Sequence, residues 1–320
     1  MDETTRGGAA GWAGTDLRGV MGLGVAGNFA GHLEQAGEAG DFAQVRAAAG
    51  RPKGVFPFYL PPAGGGSAEG GADAGEAPGF LRVFPLSRDT IRHPGRIGGR
   101  PAQLQIEPEL ALACRLEYDG PAGRVAAVVP THFTAYNDCS TRRPDATKIS
   151  QKKNWGPQTK GLDDDQWIAL EPAGVAGFAP GGRLDRFRLA CFLQRDGELL
   201  AYGEDSPVAG PAGYSTMYRP LLDWITQQLN QQTDHGPLED LSACLAAAGH
   251  PARAVISIGA TRYTPLGETT YLEPGDESIV LAYDAQTHPA DRVAELIASP
   301  PAGAGVSYAL LRQRVVADLM

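Results

Sequence analysis

Glycine and proline are so frequent in this chain that long helices can build only a minor part of its fold. The 320 residues include 42 glycines and 25 prolines, about a fifth of the total. Proline lacks a backbone donor and glycine readily adopts turn conformations, so this composition favours turns and short strands. Strands are predicted at 80–86, 104–107, 109–117, 124–129, 167–170, 187–195, 198–202, 254–258 and 278–283. Asp196-Gly197 separates two of them and predicts a tight hairpin.

Helical signals are confined to a few segments. Apolar residues recur at helical spacing in 217–232 and predict a helix there. Acidic residues at the start and a glycine at the end predict a second helix at 237–249. Further helices are predicted at 29–49, 290–298 and 308–319, the first of them weakened by its glycines.

The length and the apolar content suit one large domain with a substantial core. The chain has 320 residues, of which 42% are hydrophobic. We expect residues 1–16 to form a flexible tail and 17–320 to form a single domain, with a small α/β part at 17–100. The low-complexity segment 63–79 is expected to be a mobile loop of that domain. The fold class predicted is α/β mixed and β-rich.

Charge and cysteine usage exclude several classes of partner. The formal net charge of −9 argues against binding to nucleic acid or to an anionic membrane surface. No stretch approaches the roughly 20 apolar residues of a membrane helix, and the amino-terminal residues lack the pattern of a signal peptide. Cys114 and Cys191 lie in apolar runs and are expected to be buried, reduced thiols. The expected location is therefore cytoplasmic, with a small-molecule partner.

Two glutamates stand at the start of an apolar run in the stretch IEPELAL, residues 106–112. If this stretch is a strand, Glu107 and Glu109 point to the same face, where their like charges repel each other. A divalent cation between them removes the conflict, since hard ions such as Mg²⁺ and Ca²⁺ prefer carboxylate oxygens. The alternative is a solvated strand edge that Pro108 keeps off the hydrogen-bonding ladder.

Two other segments carry residues suited to chemistry. Asn137-Asp138 either caps a turn or supplies a third carboxylate, in which case Arg142 could clamp an anionic substrate. Near the amino terminus, His32 is close in sequence to Glu34 and Glu38, the arrangement of a general base with its carboxylate. The pair Lys152-Lys153 is expected to be solvated.

In their order and spacing, these segments resemble the motifs of the fumarylacetoacetate hydrolase family. The resemblance spans roughly residues 20–285. The family has a G-x-G-x-N-Y-x-x-H motif, then E-x-E, N-D-x-(S/T)-x-R and K-x-x-D motifs, and finally G-T-P-x-G-like and P-G-D segments. The matching segments are GLGVAGNFAGH at 22–32, EPE at 107–109, NDCSTR at 137–142, KGLD at 160–163, GATRYTPLG at 259–267 and LEPGD at 272–276.

The resemblance implies a mixed β-sheet roll with peripheral helices, a homodimer and a site for Mg²⁺, or alternatively Ca²⁺ or Mn²⁺. The residue roles that it implies are metal binding by Glu107, Glu109 and Asp138, substrate binding by Arg142, Lys160 and Thr264, and catalysis by His32, Glu34 and Lys160. The chain departs from the family at Gln35, where the dyad glutamate usually stands, so Glu34 or Glu38 is expected to replace it.

The function that the resemblance implies is that of a metal-dependent hydrolase or lyase of a small β-diketo or 2-keto acid. The reaction would be carbon–carbon bond cleavage of an acylpyruvate-like compound or a decarboxylation. Two alternatives stay open at this point. One is a binding or regulatory protein that kept the fold and lost the chemistry, and the other is an isomerase or tautomerase of unsaturated keto acids.

Overall fold

The fold is described from a computed structural model, which covers residues 12, 14–45, 50–63, 78–120, 123–143 and 145–318. The strands are β1 (Met21–Ala26), β2 (Gly54–Tyr59), β3 (Leu86–Ser87), β4 (Thr90–His93), β5 (Arg96–Ile97), β6 (Arg100–Pro101), β7 (Leu104–Gln105), β8 (Pro108–Asp119), β9 (Arg124–Asn137), β10 (Ser140–Thr141), β11 (Lys160–Leu162), β12 (Ile168–Ala169), β13 (Phe187–Arg195), β14 (Glu198–Pro207), β15 (Arg253–Ser257), β16 (Glu277–Asp284) and β17 (Tyr308–Ala317). The helices are α1 (His32–Gln35), α2 (Ser150–Lys153), α3 (Tyr218–Gln231), α4 (Leu241–Ala247), α5 (Pro265–Thr269) and α6 (Val293–Ala298), with short 3-10 turns between elements.

Most strands belong to one of two sheets. The larger sheet has the order β2-β1-β15-β8-β9-β11-β3, and β12 also pairs with β9. It is mixed, because β1 runs parallel to β15 whereas β8 runs antiparallel to both β15 and β9. The second sheet has the order β14-β13-β16-β17-β4. This architecture confirms the mixed, β-rich α/β class, with helices at the periphery of the sheets.

The long hairpin of β8 and β9 is buried on both faces near its open end, where β8 begins and β9 ends. Leu110, Leu112 and Cys114 belong to the main core, together with residues of the second sheet. Ala111 and Ala113 face the other way, into a cluster that includes β2. Side chains alternate along a strand, so Glu109 shares the alanine face. The carboxylate is therefore directed into the protein.

Several predicted elements are confirmed. The 217–232 helix is present as α3, and Leu221, Leu222, Ile225 and Leu229 form its buried stripe. The 290–298 segment contains a 3-10 turn followed by α6. Asp196 and Gly197 both have positive φ, 53° and 84°, and connect β13 to β14 as a tight turn. The 237–249 helix is shorter than predicted, because Asp240 caps it and α4 begins only at Leu241.

Three predicted elements are wrong. Residues 308–317 form strand β17 rather than a helix, since they complete the second sheet between β16 and β4. In place of the predicted strand at 80–86 stands a 3-10 turn at Gly79–Arg82, followed by β3. The helix predicted at 29–49 is limited to α1 and one 3-10 turn at Ala39–Phe42, and 46–49 lie outside the described residues. Glycines at positive φ, such as Gly37, interrupt it.

The predictions for the amino-terminal tail, the mobile loop and the cysteines can be compared with the described residues. Trp12 is buried, and its indole donates to Thr131 at 2.9 Å, whereas the rest of the predicted tail up to residue 11 lies outside the described residues. The same holds for residues 64–77 of the predicted mobile loop. Cys114, Cys139, Cys191 and Cys244 are all buried, free thiols, as expected for Cys114 and Cys191. No helix in the described part of the chain is long and apolar enough to cross a membrane.

Candidate functional site

The base of the β8–β9 hairpin brings three acidic side chains together. Glu107 lies just before β8, Glu109 within it, and Asp138 just after β9. The ladder pairs Pro108 with Asn137, so these three positions are adjacent in space. The backbone amide of Asp138 donates to the carbonyl of Glu107 at 2.9 Å. One carboxylate oxygen from each of the three acids lies within 4.8 Å of the others, and all three residues are buried. The geometry is thus that of one shared acidic cluster.

Two lysines form ion pairs with this cluster. Lys160 is fully buried at the start of β11, and its Nζ lies 3.0 Å from Asp138 Oδ1. Lys153, at the end of α2, contacts Glu107 Oε2 and lies 2.7 Å from Asp138 Oδ2. The expectation of a solvated Lys152-Lys153 pair is wrong, since both side chains are buried. Both lysines form ion pairs with acidic residues: Lys153 as just described, and Lys152 with its Nζ 3.4 Å from Glu38 Oε1.

These neighbours give the two glutamates opposite ionisation behaviour. Burial raises the pKa of Glu109 well above its ordinary value, and the carboxylate of Asp138 raises it further. Burial also acts to raise the pKa of Glu107, but Lys153 and Arg142 hold it well below its ordinary value. Of the two glutamates, Glu107 is therefore the one that ionises more readily.

Arg142 follows β10 and serves as an internal clamp. Its Nη1 donates to Glu38 at 2.8 Å and to Glu107 at 3.2 Å, and its Nη2 donates to the hydroxyl of Tyr263 at 2.9 Å. Gln105 accepts from its Nε. The guanidinium that was predicted to hold substrate is thus engaged with protein groups, and it links Glu38 to the acidic cluster.

His32 opens α1 and directs one ring nitrogen at the cluster. Its Nδ1 lies 2.9 Å from the carbonyl of Thr261, which can only accept, so Nδ1 carries the proton in the neutral ring. Nε2 is then the basic nitrogen. It is buried 3.9 Å from Glu107 Oε2, and no group among the described residues forms a hydrogen bond with it. His32 is therefore placed to take a proton at Nε2.

The predicted partner of His32 is not at the site. Glu34 is exposed, because residues two apart on a helical turn point in nearly opposite directions. Glu38, the alternative, is buried, and it pairs with Arg142 and Lys152 rather than with the imidazole. Thr264 is also separate from the cluster: its hydroxyl caps α5 and donates to the carbonyl of Ala201 at 2.8 Å.

Two site residues were not anticipated from the sequence. Lys153 had no signal beyond its position between motifs. Gly259, inside the GATRYTPLG segment, donates its backbone N–H to Glu109 Oε2 at 2.8 Å. Its φ of 113° suits glycine alone, and this conformation could have been suspected from the glycine at the end of a predicted strand.

A small cavity of about 20 Å³ lies against the cluster. Its lining includes His32, Glu38, Glu107, Glu109, Asp138 and Lys153. A space of this size holds one water molecule or one ion. Three buried carboxylates are the hard oxygen donors that Mg²⁺ and Ca²⁺ prefer, and the Asp138 oxygens have ion-pair partners but no aligned hydrogen-bond donor in the described part of the structure. The residues present therefore fit one divalent cation.

Comparisons with known proteins give a family and a set of remote structural likenesses. No curated protein matches the sequence. Among solved structures, Cg1458 with inhibitor is 15% identical, with a TM-score of 0.49 over 93% of this chain and 77% of that chain. A 5-carboxymethyl-2-hydroxymuconate delta-isomerase from Mycobacterium smegmatis is 14% identical, with a TM-score of 0.45 over 94% and 80%.

A 2-hydroxyhepta-2,4-diene-1,7-dioate isomerase from Mycobacterium marinum is 13% identical, with a TM-score of 0.47 over 94% of this chain and 75% of that chain. A family model matches residues 38–315, a range that includes the three acids of the cluster, Lys153, Lys160 and Arg142. On that match over most of its length, the chain belongs to a family of unknown function (DUF5718).

Proposed function

We propose that the acidic cluster is the centre of an enzyme that acts on a small β-diketo or 2-keto acid with the help of one divalent cation. The observation that carries this proposal is the convergence of Glu107, Glu109 and Asp138, buried and with oxygens within 4.8 Å of one another. Burial of three carboxylates is costly unless cations compensate them. The motif resemblance supports the same ligand set, and Mg²⁺ or Mn²⁺ is the expected ion.

The surrounding residues supply the rest of the chemistry. A bound divalent ion would act as a Lewis acid toward the oxygens of the keto acid. His32 Nε2 accepts a proton, either from water or from a carbon next to the carbonyl, because its other nitrogen is fixed by Thr261. Lys160 compensates negative charge that develops on the substrate. Arg142 keeps Glu38 and Glu107 in place.

The substrate needs more room than the cavity offers. A volume of about 20 Å³ accepts a water molecule but not a keto acid. Leu33 and Ile149 also line the cavity, from the turn of α1 and from the residue before α2. Turnover therefore requires these lining residues to move apart.

One observation favours isomerisation as a second candidate reaction. In hydrolysis, a carboxylate usually stabilises the imidazolium that forms when the histidine deprotonates water. Here Nδ1 of His32 is bound by a neutral backbone carbonyl instead. This arrangement suits a proton moved from one carbon of the substrate to another, without addition of water.

A substrate panel tests the proposal. Acylpyruvates, oxaloacetate and unsaturated dicarboxylic keto acids are assayed with Mg²⁺ or Mn²⁺, in H₂¹⁸O, with the native protein and with Glu109→Gln. Gln keeps the acceptor for the Gly259 amide and removes one charge, so we expect loss of about 100-fold or more in kcat/KM without unfolding. Hydrolysis places ¹⁸O in a newly formed carboxylate. Product without ¹⁸O in a carboxylate indicates decarboxylation if CO₂ is released and isomerisation if the mass of the substrate is kept.

Two control variants sharpen this assay. Glu117→Gln lies on the same strand at an exposed position, and Glu34→Gln changes the exposed glutamate beside His32. Both are expected to retain native turnover. If the native protein turns over no member of the panel, the binding-protein alternative is favoured over an enzyme.

The quaternary state is part of the proposal, since the motif resemblance implies a homodimer. Light scattering on the purified protein should then give twice the mass of the chain. The mass of a single chain, unchanged over a tenfold range of protein concentration, would remove this part of the proposal.

A further inference from the structure

Lys153 occupies part of the space that a cation in the cluster would use. Its side chain is 4% exposed, and Nζ contacts Glu107 Oε2 while lying 2.7 Å from Asp138 Oδ2. The ring of Phe56 lies on another side, with its centroid 5.6 Å from Nζ. The ammonium is thus fixed between two of the three carboxylates that form the cluster.

An ammonium in this position and a divalent ion cannot use the same oxygens at once. Mg²⁺ binds carboxylate oxygens at about 2.0–2.1 Å. The other oxygens of Glu107 and Asp138 already have Arg142 and Lys160 as partners, so an ion held by both acids is expected to use the oxygens that contact Nζ and to lie close to it. At such a distance the two cations repel each other strongly in a buried site. Binding of the ion therefore requires Nζ to leave.

The charges of the cluster support this competition. The buried carboxylates Glu38, Glu107, Glu109 and Asp138 face four cationic side chains, namely Arg142, Lys152, Lys153 and Lys160, and the exposed Asp41 also pairs with Lys152. Lys153 therefore already supplies positive charge between two of the carboxylates. A divalent ion added to this set would leave excess positive charge in a site with little solvent, which is costly.

We infer that Lys153 is a built-in competitor of the divalent cation: its ammonium holds Glu107 and Asp138 together when the ion is absent and is displaced when the ion binds. This inference rests on the cation site of the proposed function. Lys153 then lowers the affinity of the site for the ion, which would be much higher if the three carboxylates were alone. It also explains how a cluster of three buried acids stays folded without the ion.

The test compares Mn²⁺ binding by the native protein, Lys153→Met and Lys152→Met, measured by calorimetry and by the electron paramagnetic resonance of free Mn²⁺. Methionine keeps the length of the side chain and removes the charge. Lys153→Met is expected to bind Mn²⁺ about tenfold more tightly or better, since no ammonium must be displaced. Lys152→Met, whose ammonium pairs with Glu38 and Asp41, is the matched control and should stay within about threefold of native.

Equal or weaker binding of Mn²⁺ by Lys153→Met would overturn the inference, and so would the absence of binding by both proteins. Because this variant could be unstable without the ion, a crystal structure of the native protein with Mn²⁺ gives an independent answer. The expected result is an ion on Glu107, Glu109 and Asp138, with Lys153 Nζ withdrawn from both of its present partners. An ion bound there with Nζ still in contact contradicts the inference. A protein that binds Mn²⁺ in this way but turns over no keto acid would refute only the proposed function.

Discussion

Glu107 is the residue on which the buried charges of the cluster converge. Lys153 contacts one of its oxygens, Arg142 lies 3.2 Å from the other, and His32 Nε2 lies 3.9 Å away. A carboxylate shared by several buried cations stabilises each of them. Its removal leaves uncompensated positive charge in the interior, which is among the more damaging changes a protein can suffer.

Glu107→Ala is therefore expected to destabilise the protein by about 3–5 kcal/mol, apart from any effect on catalysis. Urea unfolding followed by tryptophan fluorescence measures the change. Glu117→Ala, at an exposed site on the same strand, should change the free energy of unfolding by less than about 0.5 kcal/mol. Equal effects of the two substitutions would mean that the Glu107 ion pairs contribute nothing to folding.

Glu239 gives a prediction about pH at a site outside the cluster. It is buried, and the hydroxyl of Ser150 donates to one of its oxygens. Burial raises the pKa of Glu239 from 4.5 to about 7, with the Ser150 hydrogen bond acting in the opposite direction. Between these values the folded protein binds a proton that the unfolded chain releases. This contribution to stability is fully present below pH 4.5 and is lost as the pH rises through about 7.

Glu239→Gln replaces the carboxyl group by an amide that does not ionise, so the variant resembles the protonated state at every pH. We expect the variant to exceed the native protein in stability by up to about 3 kcal/mol at about pH 8 and to match it near pH 4.5. Thermal and urea unfolding at both pH values measure the difference. A gap that does not change with pH would show that the carboxyl group ionises normally in the folded protein, and Glu117→Gln serves as the exposed control.

The sequence was informative about the acids of the cluster and less so about their partners. Glu107, Glu109 and Asp138 could be predicted to converge because the alternation within one strand and a recognisable motif order both constrain them. The burial of Lys153 could not be predicted, since a lysine pair is ordinarily solvated and only contacts made across the fold enclose it. Glu34 does not pair with His32 for a local reason: α1 is a single turn, on which Glu34 is exposed.

Among the elements, α5 shows how closely backbone segments approach one another beside the site. A Cβ added to Gly267 would overlap with the carbonyl oxygen of Tyr202 in β14. Because this oxygen belongs to the backbone, rotation of a side chain cannot relieve the overlap. Tyr263, two residues before α5, accepts a hydrogen bond from Arg142. Displacement of α5 would therefore reach the cluster.

Gly267→Ala is expected to destabilise the protein by about 1–3 kcal/mol, because α5 must shift away from β14. Gly40→Ala is the matched control, since a Cβ there meets open space and its backbone conformation is accessible to alanine. Urea unfolding measures both variants. Native stability of Gly267→Ala would show that α5 can move without cost.

The carboxyl-terminal strand β17 marks a limit of periodicity as a signal. Residues 308–311 are consecutively buried, because Ala309 and Leu311 pack in the main core on one face of β17 and Tyr308 and Leu310 pack in the cluster with α6 on the other. A strand covered on both faces loses the alternation that identifies strands and can be mistaken for a helix. In contrast, α3 has one buried stripe, and the hairpin at Asp196-Gly197 has a local turn sequence, so both could be predicted.

For the whole molecule, composition sufficed to predict the class of fold but not the order of its strands. The content of glycine and proline favours short strands and turns, and the structure is rich in both. The pairing of β1 with β15, and of β4 with β17, joins segments from opposite parts of the sequence. Such pairings depend on which buried faces match in three dimensions, and short-range patterns carry no information about them.

These two parallel pairings also bear on how quickly the protein can reach its native state. Met21 must find Ala254, and Thr90 must find Arg314, before either sheet is complete, and the loss of chain entropy precedes the gain in contacts. Refolding from urea is therefore expected to take seconds or longer, with early species that expose unpaired strand edges. Manual-mixing fluorescence at low and high protein concentration would detect the slow phase and the aggregation that competes with it. Recombinant preparations should accordingly gain in yield from low temperature and dilute refolding.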